Sequence, residues 1–447
     1  MTGNSPDHRH FCIRGYRIQV VLFLFYFWNT AAVSGEDEKY VRPPWYIGLF
    51  WNLLGYATVI IPGAVIIHLV KKSNLNDSPG RGFPFKLLQA FVYGQPEEKR
   101  SIEEGPIRTA PESKEPPKLG VTTAKLIFCA IGLQGSYLTW GVLQEQIMTE
   151  TYDELSEDGI LHKVKFEDSQ YLVFSNRVLA LIVAGVYISI AEQPYHTAPF
   201  FKYSYSSFSN IMSSWCQYEA LKFVSFPTQV LCKASKMIPV MIMGKVVSGK
   251  SYPYSEYLVA ILLSFGTSLF LLSHNADHAH HDQPTTVVGL FILLGYMIFD
   301  SFTSNWQSAL FKKHKMSSMQ MMFGTNVFSS VFTFCSLLQT GGLVRSLSFT
   351  SRHPRFLYQV FILSMTSAFG QLFIFYTIQT FGPIVFVIIM TARMIFSIVL
   401  SCIIYKHTLA SQAIFGVFVV FGAISYRIYV RYKASKGTDK VSITQNK

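Results

Sequence analysis

Of the chain's 447 residues half are hydrophobic and only 14% charged, with a positive mean hydropathy, which excludes an ordinary soluble core and describes a polytopic membrane protein. The net charge of +12 is spread over connecting segments and the C-terminal tail, an orientation signal and an attraction to anionic lipid rather than a nucleic-acid surface. Six cysteines, Cys12, Cys129, Cys216, Cys232, Cys335 and Cys402, are scattered with no CxxC or zinc-like spacing, so they read as packing residues rather than disulfides or metal ligands.

Residues 1–35 combine Arg9, Arg14 and Arg17 with an apolar run from Ile18 to Val33 and the small residues Ala31, Ala32, Ser34 and Gly35, the build of a signal peptide or of a retained anchor. Segment 36–70 opens with acidic Glu36, Asp37 and Glu38 and then forms an additional membrane span from about Tyr46 to Val70. Trp45, Tyr46 and Trp51 suit an interface, and Lys71 and Lys72 stop the span, which places residues 71–118 in the cytosol. That segment, rich in Pro, Glu and Lys, is a linker, and Asn76 in its Asn-X-Ser sequon stays unmodified on a cytosolic loop.

From Leu119 ten apolar spans follow, at roughly 119–143, 171–191, 204–224, 226–247, 255–273, 286–310, 317–340, 358–380, 382–405 and 409–430. An even number of crossings returns residues 431–447 to the cytosol, in agreement with Arg427, Arg431, Lys433 and Lys436, with cytosolic Lys312, Lys313 and Lys315, and with an acidic luminal loop 144–170. Arg345, Arg352 and Arg355 fall on the luminal side, the one loop against this count. Ten spans divide into five plus five, 119–273 and 286–430, and an odd number per half inverts the second half in the membrane.

The strongest chemical signal is charge inside the fourth span. Lys233 and Lys236 in FPTQVLCKASKMIPVMIMGK lie roughly 10 to 15 Å deep at 1.5 Å per residue. A charge there costs on the order of 2.5 to 3.5 kcal/mol, so it must face a cavity or a partner. Spacing of i and i+3 places both on one helix face. KASKMIPV (233–240) aligns over MTARMIFS (390–397), with Arg393 over Lys236, the weak internal similarity expected of inverted repeats with a central site. Glu219 and Asp300 are the intramembrane acids; Glu219 has Lys222 at i+3, and Asp300 has hydroxyl and amide neighbours in DSFTSNWQ. Lys233, Lys236 and Arg393 could instead be structural, paired with these two acids; with the acids partnered locally, three central cations in surplus imply a multiply charged anion. Gln134, Tyr137, Trp140, Trp215, Gln217, Tyr218, Asn305, Asn326, Gln371 and Tyr376 lie in spans that could line the same cavity, and aromatic faces with amides suit a nucleobase.

Two motifs mislead. Gly244 to Ser251, GKVVSGKS, matches the P-loop pattern, but follows a membrane helix and runs into Tyr252 and Pro253 rather than linking a strand to a helix. His274, His278, His280 and His281 form a loosely spaced, solvated loop rather than a metal site. The chain has no nucleophile with a base, no HExxH and no GxSxG, which argues against an enzyme.

GLQGSYLTWGVLQEQIMT (132–149), SSWCQYEALKFVSFPTQVLCKASKMIPVMIMGK (213–245), FDSFTSNWQSALFKKHKMSSMQMMFGTN (299–326) and GQLFIFYTI (370–378) resemble the Golgi 3′-phosphoadenosine 5′-phosphosulfate transporters of the nucleotide-sugar transporter family. The resemblance covers about 119–430 and implies an all-α membrane protein of drug/metabolite-transporter fold, a ten-helix core in two inverted five-helix repeats plus an N-terminal extension. It implies antiport of the sulfate donor from cytosol to Golgi lumen against an adenosine monophosphate product. The KASK lysines and the later arginine carry over as phosphate-binding candidates Lys233, Lys236 and Arg393. Met394 stands where relatives often have Gln, a departure that touches a nearby hydrogen bond. The implied partners are a small anionic nucleotide and the lipid bilayer, with room for a homodimer; no cofactor, metal or nucleic acid is expected. A transporter of another nucleotide or nucleotide sugar on the same fold is the second reading, and a membrane-embedded enzyme or scaffold the third.

Overall fold

Backbone groups in hydrocarbon find no water, so spans of this length must close their hydrogen bonds as helices. The computed structural model describes residues 45–73, 83–94, 119–155, 161–166, 168–194, 196–220, 223–224, 226–275, 286–405 and 411–445. The leader-like residues 1–35, the acidic run Glu36 to Glu38, the Asn76 sequon, Lys222 and the histidines 278, 280 and 281 lie outside them. The N-terminal part forms α1 (Trp45–Lys72) and α2 (Phe83–Val92). The next segment runs α3 (Leu119–Thr149), the hairpin strands β1 (Thr151–Leu155) and β2 (Leu161–Lys165), α4 (Ser169–Ile190), α5 (Lys202–Ala220), α6 (Phe226–Ala234), α7 (Met237–Ser248) and α8 (Tyr254–Asn275). The remainder is α9 (Val287–Lys313), α10 (Ser318–Gln339), α11 (Gly342–Arg352), α12 (Pro354–Phe381), α13 (Pro383–Tyr405) and α14 (Ser411–Gln445).

Each of the ten spans expected from Leu119 on is helical where described, and among the described residues eight helices, α1 among them, are long and apolar enough to cross a membrane. Shorter apolar helices occupy Met237–Ser248 and Pro383–Phe396. The exception is α5, whose serines, asparagine and glutamine dilute its hydropathy. It packs against α9 and α10, and its small polar residues lock it there: Ser207 Oγ donates to the Thr325 carbonyl (2.7 Å) and Ser209 Oγ to that of Phe299 (2.6 Å).

Helix pairing is selective. α8 packs along α14, α4 along α10, α5 along α9 and α3 along α12. The α8–α14 crossing is close because two glycines face each other; a Cβ on Gly266 would sit 2.8 Å from the Gly416 carbonyl oxygen. A buried ion pair, Arg427 Nε to Glu256 Oε2 at 2.8 Å, ties the same helices.

One end of the bundle collects the β-hairpin, α11 and the start of α12. β1 pairs antiparallel with β2, Tyr152 opposite Val164. Tyr152 and Phe166 are buried against Phe349 and Phe356, and the Tyr152 hydroxyl donates to Gln359 Oε1 at 2.7 Å. The basic loop that opposed the topology count lies here beside acidic 144–170: Arg355 pairs with Glu150 at 2.7 Å. A charge read as an orientation signal is partly consumed by a tertiary partner.

The opposite end is stitched by side chains. Ser317 Oγ donates to Gln193 Oε1 (2.6 Å), Gln320 Nε2 to the Pro194 carbonyl (2.6 Å) and Gln379 Nε2 to that of Met316 (3.0 Å). The linker is not structureless here, since α2 docks through backbone bonds from Phe200 and Phe201 to Ala90 and Phe91. Gly94 ends it with φ 78°, where a Cβ would fall 2.3 Å from the Thr197 carbonyl oxygen.

At this end His314 faces Lys202 at 3.2 Å and Thr197 at 3.4 Å, with Lys313 and His196 nearby. Burial, then the Lys202, Lys313 and His196 charges, push its pKa down from 6.5 to about 4, and burial also lowers that of His196. Between those values the unfolded chain binds a proton that folded His314 refuses, so stability rises with pH across the window and is lost on acidification from 6.5 toward 4. The melting temperature in detergent is expected to fall over that window, and to fall less in His314→Gln. An unchanged slope in the variant would remove His314 from the account.

Candidate binding site in the bundle centre

Pro239 sets the geometry of the site. Having no N–H, it cannot bond the Ser235 carbonyl, so the fourth span breaks: α6 ends at Ala234, Lys236 N reaches Lys233 O at 3.4 Å, Ile238 N takes Ser235 O at 3.2 Å, and α7 restarts. In α13 Phe396 occupies the position aligned with Pro239, and that helix runs unbroken through Arg393.

Beside the break lies a cavity of about 330 Å³, walled by α3, α4, α5, α9, α12 and α13. Lys236 lines it and pairs with Asp300 of α9 at 2.5 Å. Two expectations are corrected. Lys233 and Lys236 do not belong to one unbroken α-helix, because an i→i+3 bond from Lys236 N to Lys233 O tightens the turn between them, and Lys233 is not in the cavity wall. Asp300 is met by an ammonium rather than by its polar neighbours, because those groups serve backbone carbonyls. Ser304 Oγ donates to Ser301 O (3.3 Å), and Asn305 Nδ2 to Val240 O (2.8 Å) and Ser301 O (3.0 Å). The proposed Glu219–Lys222 contact lies outside the described residues, Lys222 being one of those omitted.

Arg393 stands behind the α3 wall, its guanidinium 6.0 Å from the Tyr137 ring centroid, within cation–π range. Its Nε is buried without a hydrogen-bond partner among the described residues, and Met394 beside it brings no strong acceptor. The Lys236 and Arg393 charges both bear on Lys233. Tyr137 lies within the field of two guanidiniums, Arg393 and Arg177.

Arg177 was not singled out in the sequence. It lines the cavity from α4, eight positions into that helix, and the signal that could have found it is the one used for Lys233: an ionisable residue inside an apolar span. Arg177 and Lys236 line the cavity, where Asp300 is the one carboxylate among the described lining residues, while Arg393 lies against the Tyr137 ring and Lys233 within the field of Lys236 and Arg393.

Of the aromatic and amide candidates, Tyr137, Trp140, Tyr218 and Gln371 line the cavity. Gln134, Trp215, Gln217, Asn305, Asn326 and Tyr376 do not. Asn326 stands one step back and orients Gln371, donating to its Oε1 at 2.9 Å and to Met322 O at 2.7 Å. Asn305 ties α9 to α7, and Trp215 packs near Cys216 and Tyr296. Further polar wall residues, Gln144, Asn176, Asn210, Thr303 and Gln307, escaped sequence reasoning because a polar residue in a span shows no direction until neighbours are known. Donors Trp140 Nε1 and Arg393 Nε and acceptors Gln134 Oε1 and Asn326 Oδ1 are buried without partners among the described residues. Such groups are costly to leave unpaired. The site suits an anionic ligand with a flat, hydrogen-bonding part.

The UAA transporter family matches residues 125–431. The Homo sapiens protein named adenosine 3′-phospho 5′-phosphosulfate transporter 1 is 50% identical over 408 residues, 90% of this chain and 92% of that one. Its Drosophila melanogaster namesake is 44% identical over 430 residues, 93% and 90% of the two chains. UDP-galactose/UDP-glucose transporter 5 of Arabidopsis thaliana is 38% identical over 316 residues, 70% and 89%.

Proposed function

The chain belongs to the UAA transporter family, and from that premise we propose that it carries 3′-phosphoadenosine 5′-phosphosulfate from the cytosol into the Golgi lumen in exchange for an adenosine monophosphate product. It is a multi-pass membrane protein and a transporter rather than an enzyme. The observation that carries the substrate is the charge balance: Arg177 and Lys236 line the central cavity with one carboxylate, Asp300, while Arg393 stands against the cavity's Tyr137 ring and Lys233 lies within the field of Lys236 and Arg393. A nucleotide with a 5′-phosphosulfate and a 3′-phosphate offsets that surplus better than a UDP-sugar, whose charge is confined to one diphosphate. Lys233, Lys236, Arg177 and Arg393 take the phosphoryl and sulfo groups in this reading, while Tyr137, Trp140, Tyr218 and Gln371 hold the adenine.

The proposed architecture is the drug/metabolite-transporter fold, with halves 119–273 and 286–430 inverted relative to one another. Its support is the helix pairing. Exchange each first-half span for its second-half counterpart and the pairs α3–α12 and α5–α9 swap, while α4–α10 and α8–α14 map onto themselves. With residues 71–118 and the C-terminal tail cytosolic, the end stitched by Gln193, Gln320 and Gln379 is the cytosolic one. Transport then proceeds by rocking of the halves about the central site. An empty cavity leaves its cations uncompensated and reorients poorly, which couples the two directions into exchange without ATP.

Counterflow into liposomes holding purified protein and preloaded with adenosine 3′,5′-bisphosphate tests this. Saturable uptake of labelled phosphosulfate donor, resisted poorly by UDP-sugars and ATP, is expected. Exchange of UDP-galactose or another nucleotide with no donor uptake would keep the site and move the substrate.

A further inference from the structure

A second cavity, of about 320 Å³, lies at the stitched end of the bundle, and Ile378 is in the wall of both it and the central one. Three pieces of chain enclose it: the α7–α8 turn with Lys250 and Tyr252, the last turns of α9 with Ser308 and Lys312, and the α12–α13 corner. Its lining contains two lysines and no carboxylate. Lys250 Nζ donates to Ser308 Oγ at 3.4 Å, and the Tyr252 hydroxyl is buried without a partner among the described residues. Gly382, with φ 83°, turns the corner so that α13 begins in the cavity wall with Pro383 and Ile384. The first turn of a helix leaves amides unpaired and carries partial positive charge. Burial and the neighbouring Lys312 lower the Lys250 pKa, so an incoming anion would relieve both effects.

Lys250 is the lysine of GKVVSGKS. The fold rules out a P-loop: Gly244 is inside α7, and Gly249 is its left-handed cap at φ 60°. The lysine nonetheless faces a cavity where a helix begins, that helix being α13 rather than its own.

We propose that this cavity is a cytosolic waiting site that receives the phosphoryl end of the nucleotide before the α12–α13 corner releases it into the central cavity. The proposal rests on the orientation and substrate class of the functional reading. The corner is the partition, held by the Gln379 bond to the Met316 carbonyl, and Ile378 stands between the two chambers. A phosphoryl anion at Lys250 and Lys312 would meet the free amides of the first α13 turn, donors like the two ammoniums.

In liposomes with the protein inserted in one orientation, Lys250→Gln is expected to raise KM for uptake from the cytosolic face about tenfold, the loss of one charge-assisted hydrogen bond. KM from the luminal face and kcat should hold, and Lys250→Arg should restore the cytosolic KM. Equal changes at both faces, or a loss of kcat alone, would mark a structural role and overturn the proposal. Equilibrium binding supplies a second readout in lipid-free detergent. Wild type should bind two adenosine 3′,5′-bisphosphates, Arg393→Ala should keep the peripheral one and Lys250→Gln the central one; a single site in wild type overturns the proposal. Inorganic pyrophosphate should compete at the peripheral site. A site filled only by phosphatidylserine vesicles and not by pyrophosphate is a lipid site and equally overturns it. Should wild type carry no phosphosulfate donor, the substrate reading fails, while the pyrophosphate titration still decides whether the second site exists.

Discussion

Lys236→Ala is expected to lower both transport and stability, and Lys236→Ala/Asp300→Ala to recover stability alone. Removing one partner of a fully buried ion pair costs about 3–5 kcal/mol, because the remaining charge is stranded. The Lys236 and Asp300 side chains keep 20% and 24% exposure, so roughly half that cost is expected, a drop of several degrees in the detergent melting temperature. Removing Asp300 as well takes away the stranded carboxylate and restores the melting temperature. Transport stays lost, because the ammonium proposed to meet the substrate is gone. Melting curves with counterflow on the single and double variants separate the roles. A double variant that transports would make Lys236 purely structural, and one that stays unstable would leave the ion pair without its assigned share.

Arg393→Ala and Arg177→Ala are expected to act differently, since among the described residues neither guanidinium is paired with a carboxylate that its loss would strand. Each loss removes a charged hydrogen-bonding group worth about 1.5–3 kcal/mol, roughly a 10- to 100-fold fall in kcat/KM, with the melting temperature little changed. The effect should fall harder on the phosphosulfate donor than on UDP-sugars, because fewer cations suffice for one diphosphate. Tyr137→Phe keeps the ring beneath Arg393 and should transport. Tyr137→Ala removes the surface the guanidinium rests on and should resemble Arg393→Ala. An equal loss for both substrate classes would detach charge from selectivity.

Much of this molecule was legible residue by residue. Charges at Lys233, Lys236 and Arg393 stood out because burying them in hydrocarbon is expensive, and that penalty is visible in one dimension. Arg177 obeyed the same rule and was overlooked in a span otherwise rich in Leu, Val and Ala. Asn326 and Gln371 were found together, yet only their 2.9 Å bond shows that one orients the other. Trp215 and Asn305 carry the residue types of a nucleotide pocket but serve packing and helix contacts.

The sequence by itself determined where the helices run, because hydrocarbon demands that each span close its own backbone hydrogen bonds, and the order of residues decides which segments can. It also determined that cations would stand in the fourth and ninth of the ten spans. Tertiary structure decided their employment: Lys236 met Asp300 while Lys233 stayed out of the cavity wall, Arg355 found Glu150, and α5 buried most of its serines against its neighbours. Partner choice depends on distances between segments far apart in the chain, and hydrogen bonds and ion pairs form only at contacts of about 3 Å, so no one-dimensional pattern contains it.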